Sequence, residues 1–85
     1  MQYVVFTADK LIRSFPAKIK GFSIGASAAS VVNIYDGTSN SGVLVFNLEI
    51  PQNETLMFSN EGVLFSAGVY VDVVSGSVKG SVFVE

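Results

Sequence analysis

The sequence has no histidine, cysteine or tryptophan among its 85 residues. Without cysteine there is no disulfide, no thiolate nucleophile and no soft metal ligand, and without histidine no side chain ordinarily titrates between about pH 5 and 8. Most enzymes and structural zinc sites depend on these residues. We therefore expect no catalytic centre, no metal and no cofactor. A chain this small must then be stabilised by apolar packing, by oligomerisation or by a partner surface.

Charged residues are scarce as well. They make up 14% of the chain, whereas hydrophobic residues make up 49%, and the mean hydropathy is +0.52. A domain of this size cannot bury all of its apolar surface, because small domains have a high ratio of surface to volume. Part of that surface is therefore expected to face another protein.

The few charges are unevenly distributed, and their pattern bears on the partner. Residues 1–20 carry a net charge of +3 and residues 21–85 a net charge of −5, which favours attraction between copies or to a partner of mixed charge. The basic stretch is short and the pI is about 4.8, so a nucleic-acid partner is not expected. No apolar run approaches the ~18 residues of a membrane span, and no signal-peptide pattern is present.

The remaining composition favours strands and turns. Valine is the most frequent residue, and Leu44, Phe46 and Leu48 alternate with more polar neighbours as expected of a half-buried strand. Short segments of this kind, separated by glycine and serine, recur about every ten residues. They predict one domain over residues 1–85, an antiparallel β-sandwich of jelly-roll or related topology with about eight short strands. The predicted strands are 2–7, 18–26, 31–36, 43–50, 54–58, 63–66, 69–75 and 78–84.

Residues 8–17 lack a clear strand pattern, and Pro16 disfavours a helix that continues through Phe15. We expect an irregular arm or a single helical turn. One interpretation is a loop that closes the end of the sandwich, with Leu11 or Phe15 in the core. The other is an extension that docks on a neighbouring subunit. Under the second, the candidate partner-binding residues are Lys10, Arg13, Phe15, Lys18 and Lys20.

Carboxylates are the remaining route to acid–base chemistry. The candidates are Asp36, Glu49, Glu54, Glu61 and Asp72. Their positions on polar strand faces and in turns indicate solvated charges rather than a converging pair. Asp72 differs, because it lies inside a valine-rich strand beside Tyr70. We expect these two residues to protect a sheet edge or to contribute to an interface.

Four segments of the chain, in this order, resemble a known family: 31–38 (Val-Val-Asn-Ile-Tyr-Asp-Gly-Thr), 41–44 (Ser-Gly-Val-Leu), 62–65 (Gly-Val-Leu-Phe) and 68–73 (Gly-Val-Tyr-Val-Asp-Val). The pattern is similar to that of small all-β virion proteins of tailed bacteriophages. The resemblance covers about residues 18–85 and leaves residues 8–17 unmatched.

The resemblance implies a non-enzymatic head-decoration or cement protein, made in the host cytoplasm and located in the virion. Its partner would be the major capsid protein or another virion protein, and it would form a homo-oligomer, most often a trimer. An alternative is a carbohydrate- or receptor-binding module of a tail fibre or spike, with Tyr3, Tyr35 and Tyr70 stacking on sugars. A third is a small assembly factor absent from the finished particle.

Overall fold

A computed structural model describes residues 2–85, which form eight β-strands. Within that range there is no helix, and hence none long and apolar enough to cross a membrane. The strands are β1 (Gln2–Phe6), β2 (Lys10–Arg13), β3 (Ala17–Ala26), β4 (Ser30–Asp36), β5 (Val43–Ile50), β6 (Thr55–Phe65), β7 (Val69–Ser75) and β8 (Val78–Val84).

The strands form two antiparallel sheets of four. The first sheet has the order β1-β8-β3-β6 and the second the order β2-β7-β4-β5. Only β4 and β5 follow each other within one sheet, and every other connection crosses between the sheets. This order is that of a jelly roll, in which two sheets close over one core. The predicted all-β sandwich is therefore confirmed.

The core lies between the sheets because inward-facing residues alternate with outward-facing ones along each strand. Ile19 and Val82 of the first sheet and Val32 and Val71 of the second are fully buried. Phe46 of β5 joins the two layers, since its ring centroid lies 5.4 Å from that of Phe22 and 5.3 Å from that of Phe58, both in the opposite sheet. Packing among Phe22, Phe46 and Phe58 thus holds the two sheets together.

The prediction of an irregular arm or helical turn at residues 8–17 is wrong. The segment contains β2, which pairs with β7 and has a register irregularity between Leu11 and Arg13. Ile12 points into the core and is buried. Four residues are too few for alternation to be visible in the sequence, so the pairing with β7 decides the conformation.

The predicted separate strands 54–58 and 63–66 are one strand, β6, and the turn expected between them is a bulge. Gly21 pairs with Ser59 and Ile19 with Val63, so three residues of β6 lie opposite Lys20 alone. The Lys20 ammonium donates to the Glu61 carbonyl at 2.5 Å and holds the bulge against β3. The count of eight is reached because this merger offsets the addition of β2.

Candidate functional site

The outer surface of the first sheet has small side chains in the middle of its two central strands, between Phe83 and Lys79 along β8. The outward positions there are Ser23 on β3 and Ser81 on β8, which lie opposite each other, with Gly25 next along the same face of β3. Gly21, also on this face, is buried, and a Cβ there would lie 3.2 Å from the Phe83 ring. A partner could therefore approach the backbone of these two strands closely.

Large apolar side chains flank this centre on both sides. Tyr3 is 69% exposed on β1 and Met57 is 73% exposed on β6, while Val5 and Leu64 are exposed on the same two strands. The rings of Tyr3 and Phe83 lie with their centroids 4.7 Å apart, which supports Tyr3 in its outward position. Together these residues form a shallow trough with apolar walls, which we call the apolar face: Tyr3, Val5, Met57, Leu64 and Phe83 around the glycine and serine centre.

The charges around the apolar face are of both signs. Lys18 lies opposite Leu64 and Lys79 opposite Gly25, and both are exposed. Lys20 forms an ion pair of 3.3 Å with Glu85. Glu85 lies beside Lys18 and Leu64, and Glu54 lies beside Gly25 and Lys79. The rim of the apolar face is therefore of mixed charge, which suits a partner surface of mixed charge.

The cations predicted to act together are separated by the fold. Lys10 and Arg13 are on β2 of the second sheet, whereas Lys18 and Lys20 are on β3 of the first. The Lys10 ammonium donates to the Val5 carbonyl at 3.3 Å. Within residues 2–85, Lys18 is alone among the four in making no side-chain hydrogen bond or ion pair.

Arg13 and Phe15 are close to each other at the end of the sandwich. The guanidinium of Arg13 donates to the Ile12 carbonyl at 2.8 Å and to the side-chain oxygen of Gln2, and it lies 6.0 Å from the centroid of the Phe15 ring. Phe15 itself is 57% exposed, so it does not enter the core. This pair makes a local contact between β2, its following loop and β1.

The outer surface of the second sheet carries polar side chains in the middle of its strands. Asn33 of β4 is the register partner of Asn47 on β5 and of Asp72 on β7. The Asn47 amide donates to the Asn33 carbonyl oxygen at 2.6 Å, and the Asn33 amide donates to the Tyr35 hydroxyl oxygen at 3.3 Å. Asp9, which precedes β2, accepts the Val73 backbone N–H at 2.7 Å. We call Asp9, Asp72, Asn33 and Asn47 the polar row.

Two carboxylates of the polar row interact. Partial desolvation is the largest cause that raises the pKa of Asp72 above its ordinary value, and the charge of Asp9 and a hydrogen bond with that side chain add to it. The Asn40 amide, from the loop between β4 and β5, acts in the opposite direction. The ionised form of Asp72 is therefore poorly compensated, and a hydroxyl donor placed beside it would stabilise it.

A second row of side chains crosses the same four strands beside the polar row. Tyr70 of β7 is the register partner of Leu11 on β2 and of Tyr35 on β4, and Tyr35 is the partner of Leu44 on β5. Desolvation, followed by the charges of Asp9 and Asp72, raises the pKa of Tyr70. We call Leu11, Tyr70, Tyr35 and Leu44 the aromatic row.

The prediction that Tyr70 and Asp72 protect a sheet edge is wrong. β7 lies between β2 and β4, so neither residue is on an edge strand. The alternation along β7 correctly placed both residues on the same, outward face. The strand order could not be read from the sequence, because β2 was not recognised as the outer neighbour.

The three tyrosines do not form one group. Tyr35 and Tyr70 are neighbours in the aromatic row, whereas Tyr3 is on the apolar face of the other sheet. Sequence reasoning overlooked Asp9, Asn33 and Asn47. Asparagine in the interior of two strands was an available signal, because strands ordinarily contain few asparagines.

Asp36, the one carboxylate of the glycine- and serine-rich turn, has a structural role. Its oxygens accept the Ala67 backbone N–H at 2.8 Å and the Ser66 backbone N–H at 3.0 Å, together with the Ser66 hydroxyl at 3.1 Å. These bonds, with the one from Ala67 largest, lower the pKa of Asp36. Asp36 thus joins the end of β4 to the connection between β6 and β7.

No protein-family model, curated protein or solved structure matches this chain. Among residues 2–85 there is also no group of three or more acidic side chains close enough to hold a metal ion.

Proposed function

We propose that this chain is a non-enzymatic virion structural protein, a decoration or cement protein that attaches to a capsid lattice through the apolar face. Its partner is the major capsid protein or another virion protein. The observation that carries the proposal is the exposure of Tyr3 and Met57 on either side of a centre built from small residues.

The shape of the apolar face supports an adhesive role. Exposed apolar side chains grouped on one sheet, with glycine and serine between them, allow close packing against another protein and release water from apolar surface. The mixed charges of the rim, Lys18 beside Glu85 and Lys79 beside Glu54, would orient the chain on a partner of complementary charge. The side chains of Tyr3 and Met57 project away from the core of the sandwich and are exposed in the isolated chain.

A lattice multiplies a modest contact. Many copies held side by side reinforce the joints between subunits even when each single contact is weak. The resemblance to phage decoration proteins implies a trimer, in which each copy meets the next through unlike surfaces and the ring closes. Size-exclusion chromatography with light scattering measures this directly, and we expect a mass three times that of one chain.

The test of attachment is a binding assay with purified virus particles that lack the chain. Met57→Glu places a charge on the apolar face, and we expect it to lower occupancy on the particles about tenfold or more, because the carboxylate must be desolvated on docking. Val43→Glu is the matched control: Val43 is 70% exposed and Met57 73%, both on edge strands, but Val43 belongs to the second sheet.

We expect the Val43→Glu variant to bind as the unchanged protein does. Equal loss in both variants would show that attachment does not depend on the apolar face. Mass spectrometry of intact particles is the complementary measurement, and complete absence of the chain from them would refute a role in the virion.

A further inference from the structure

We propose that the outer surface of the second sheet, formed by the polar row and the aromatic row, binds a neutral saccharide. This binding site goes beyond the proposed virion role and lies on the opposite side of the sandwich from the apolar face.

The residue types of the polar row are unusual for the interior of a sheet. Asn33, Asn47 and Asp72 occupy one register line across three adjacent strands, although asparagine and aspartate are disfavoured in strand interiors. Threonine would cover the same surface at less cost to the strands. Local preferences that are broken together at one place are expected where a surface has a function other than stability.

The side-chain hydrogen bonds among Asn47, Asn33 and Tyr35 all run in one direction. Asn47 donates to Asn33, and Asn33 donates to the oxygen of Tyr35, so the three side chains form a chain with a defined direction. Its ends are a carbonyl oxygen on Asn47 that can accept and a hydroxyl proton on Tyr35 that can donate. The two amides hold each other in place before a ligand arrives, which lowers the entropic cost of binding.

The polar row and the aromatic row together match the two kinds of surface that a sugar ring presents. A pyranose presents hydroxyl groups at its edge and C–H groups on its faces. The polar row offers amide and carboxylate partners for the hydroxyls, and Leu11, Tyr70 and Leu44 in the aromatic row offer apolar contact for the C–H groups. The rows cross four strands and are about 14 Å long at ordinary strand spacing, enough for a short oligosaccharide.

The outer surface of the second sheet carries several carboxylates. Asp9 and Asp72 lie in the polar row, and Glu49 is the register partner of Val31 farther along the same sheet. An anionic polymer would be repelled here, whereas sugar hydroxyls would donate to the under-compensated Asp72 carboxylate. The ligand class is therefore a neutral saccharide rather than an acidic one.

The experiment titrates the ¹⁵N-labelled full chain, followed by NMR, with neutral hexasaccharides of glucose, mannose, galactose and N-acetylglucosamine, and with hexagalacturonate as the anionic probe. We expect at least one neutral probe to shift the side-chain amide signals of Asn33 and Asn47 and the backbone signals of β4, β5 and β7. Hexagalacturonate should leave them unchanged. Absence of shifts with every neutral probe, or equal shifts with hexagalacturonate, would overturn the proposal.

Variants locate the site. Asn47→Ala is expected to weaken binding about tenfold, and Tyr35→Phe, which removes the donor but keeps the ring, several-fold. Asn60→Ala is the matched control, since Asn60 is an exposed asparagine in the bulge of the first sheet. If Asn60→Ala weakens binding as much as Asn47→Ala, the saccharide binds elsewhere and the assignment fails.

Two further measurements separate this proposal from others. Calcium ions alone should not reproduce the amide shifts, and if they do, the surface is a cation site instead. Met57→Glu should keep saccharide binding while it loses attachment to particles, and Asn47→Ala should do the reverse. Loss of both activities in either variant would show that the two surfaces are not independent, which would contradict the separate saccharide site.

Discussion

The two outer surfaces of the sandwich differ although the two inner surfaces are alike. Both sheets present isoleucine, valine and phenylalanine to the common core. Outward, the first sheet has a centre of glycine and serine with exposed apolar flanks, and the second has asparagine, aspartate and tyrosine in its centre. Core packing constrains only the inward residue of each pair, so the outward residue is free to acquire a binding role.

The largest effect is expected where both surfaces depend on the same contact. Phe46→Ala removes the ring that joins β5 to Phe22 and Phe58 of the opposite sheet. We expect a loss of about 3 kcal/mol in the free energy of unfolding, near the lower end for buried phenylalanine because Phe46 is only partly buried. Urea unfolding measures it. Phe15→Ala, at an exposed ring, is the control and should stay within about 0.5 kcal/mol.

If Phe15→Ala destabilised the protein as much as Phe46→Ala, the distinction between core and surface aromatics would be wrong. Phe46→Ala should also weaken attachment and saccharide binding together, since it loosens both sheets.

A smaller loss is expected at the crossing from β7 to β8. Gly76 has a φ of +90°, and a Cβ there would contact the Ser30 hydroxyl and lie 2.6 Å from the Ala29 carbonyl oxygen. Gly76→Ala should cost roughly 1–3 kcal/mol in thermal or urea unfolding. Gly25→Ala is the contrast, because its nearest neighbour is 3.4 Å away and its φ is not in the left-handed region.

Gly25→Ala should therefore leave the unfolding free energy nearly unchanged and instead weaken attachment, because the added methyl group lies on the apolar face beside Lys79. A Gly25→Ala variant that is as unstable as Gly76→Ala would mean that this glycine has a structural role.

The contribution of Asp36 to the stability of the fold should depend on pH. Its pKa is lowered in the folded state, so its contribution to stability is present above its ordinary pKa of 3.8 and is lost as the pH falls through the folded value. Asp36→Asn should be less stable than the unchanged protein at neutral pH, and the difference should shrink in acid. Thermal unfolding from neutral pH to about pH 2 tests this, and a difference independent of pH would contradict it.

The smallest change in stability is expected for Asp72→Asn, and its sign is opposite to that for Asp36→Asn. The pKa of Asp72 is raised above 3.8 in the folded state, so its ionisation works against folding once the pH exceeds its ordinary pKa. Asp72→Asn should be slightly more stable than the unchanged protein at neutral pH and equal to it in strong acid. The same variant should bind saccharide less well. A variant that loses stability at neutral pH would show that the ionised carboxylate stabilises the sheet.

Much of the fold could be predicted because alternation is local. Along β7 the pattern of apolar and polar residues gave the correct strand and faces, and along β5 it gave the correct strand. It misplaced Leu44, because a register irregularity puts this residue opposite Tyr35 on the outer surface rather than beside Phe46 in the core. It failed at β2, where four residues are too few to show a period, and at the bulge of β6, where Asn60 and Gly62 have the composition of a turn. In both places pairing with a distant strand overrides local preference.

The candidate surfaces were predictable only in part. Apolar excess correctly pointed to exposed hydrophobic residues, but the basic residues grouped in the sequence are divided between two sheets, since β2 and β3 belong to different layers. Asp9, Asn33 and Asn47 lie far apart along the chain. The register between β4, β5 and β7 brings Asn33, Asn47 and Asp72 into one line, and Asp9 joins them through its hydrogen bond to Val73.

The amino-acid sequence by itself determined that the protein is an all-β sandwich without histidine or thiol chemistry, because composition and alternation act over a few neighbouring residues. Only the tertiary structure decided which strands are edges, which outward residues share a surface, and that the polar and apolar surfaces lie on opposite sides. Those properties depend on strand order and register, which are set by contacts between residues distant in the chain.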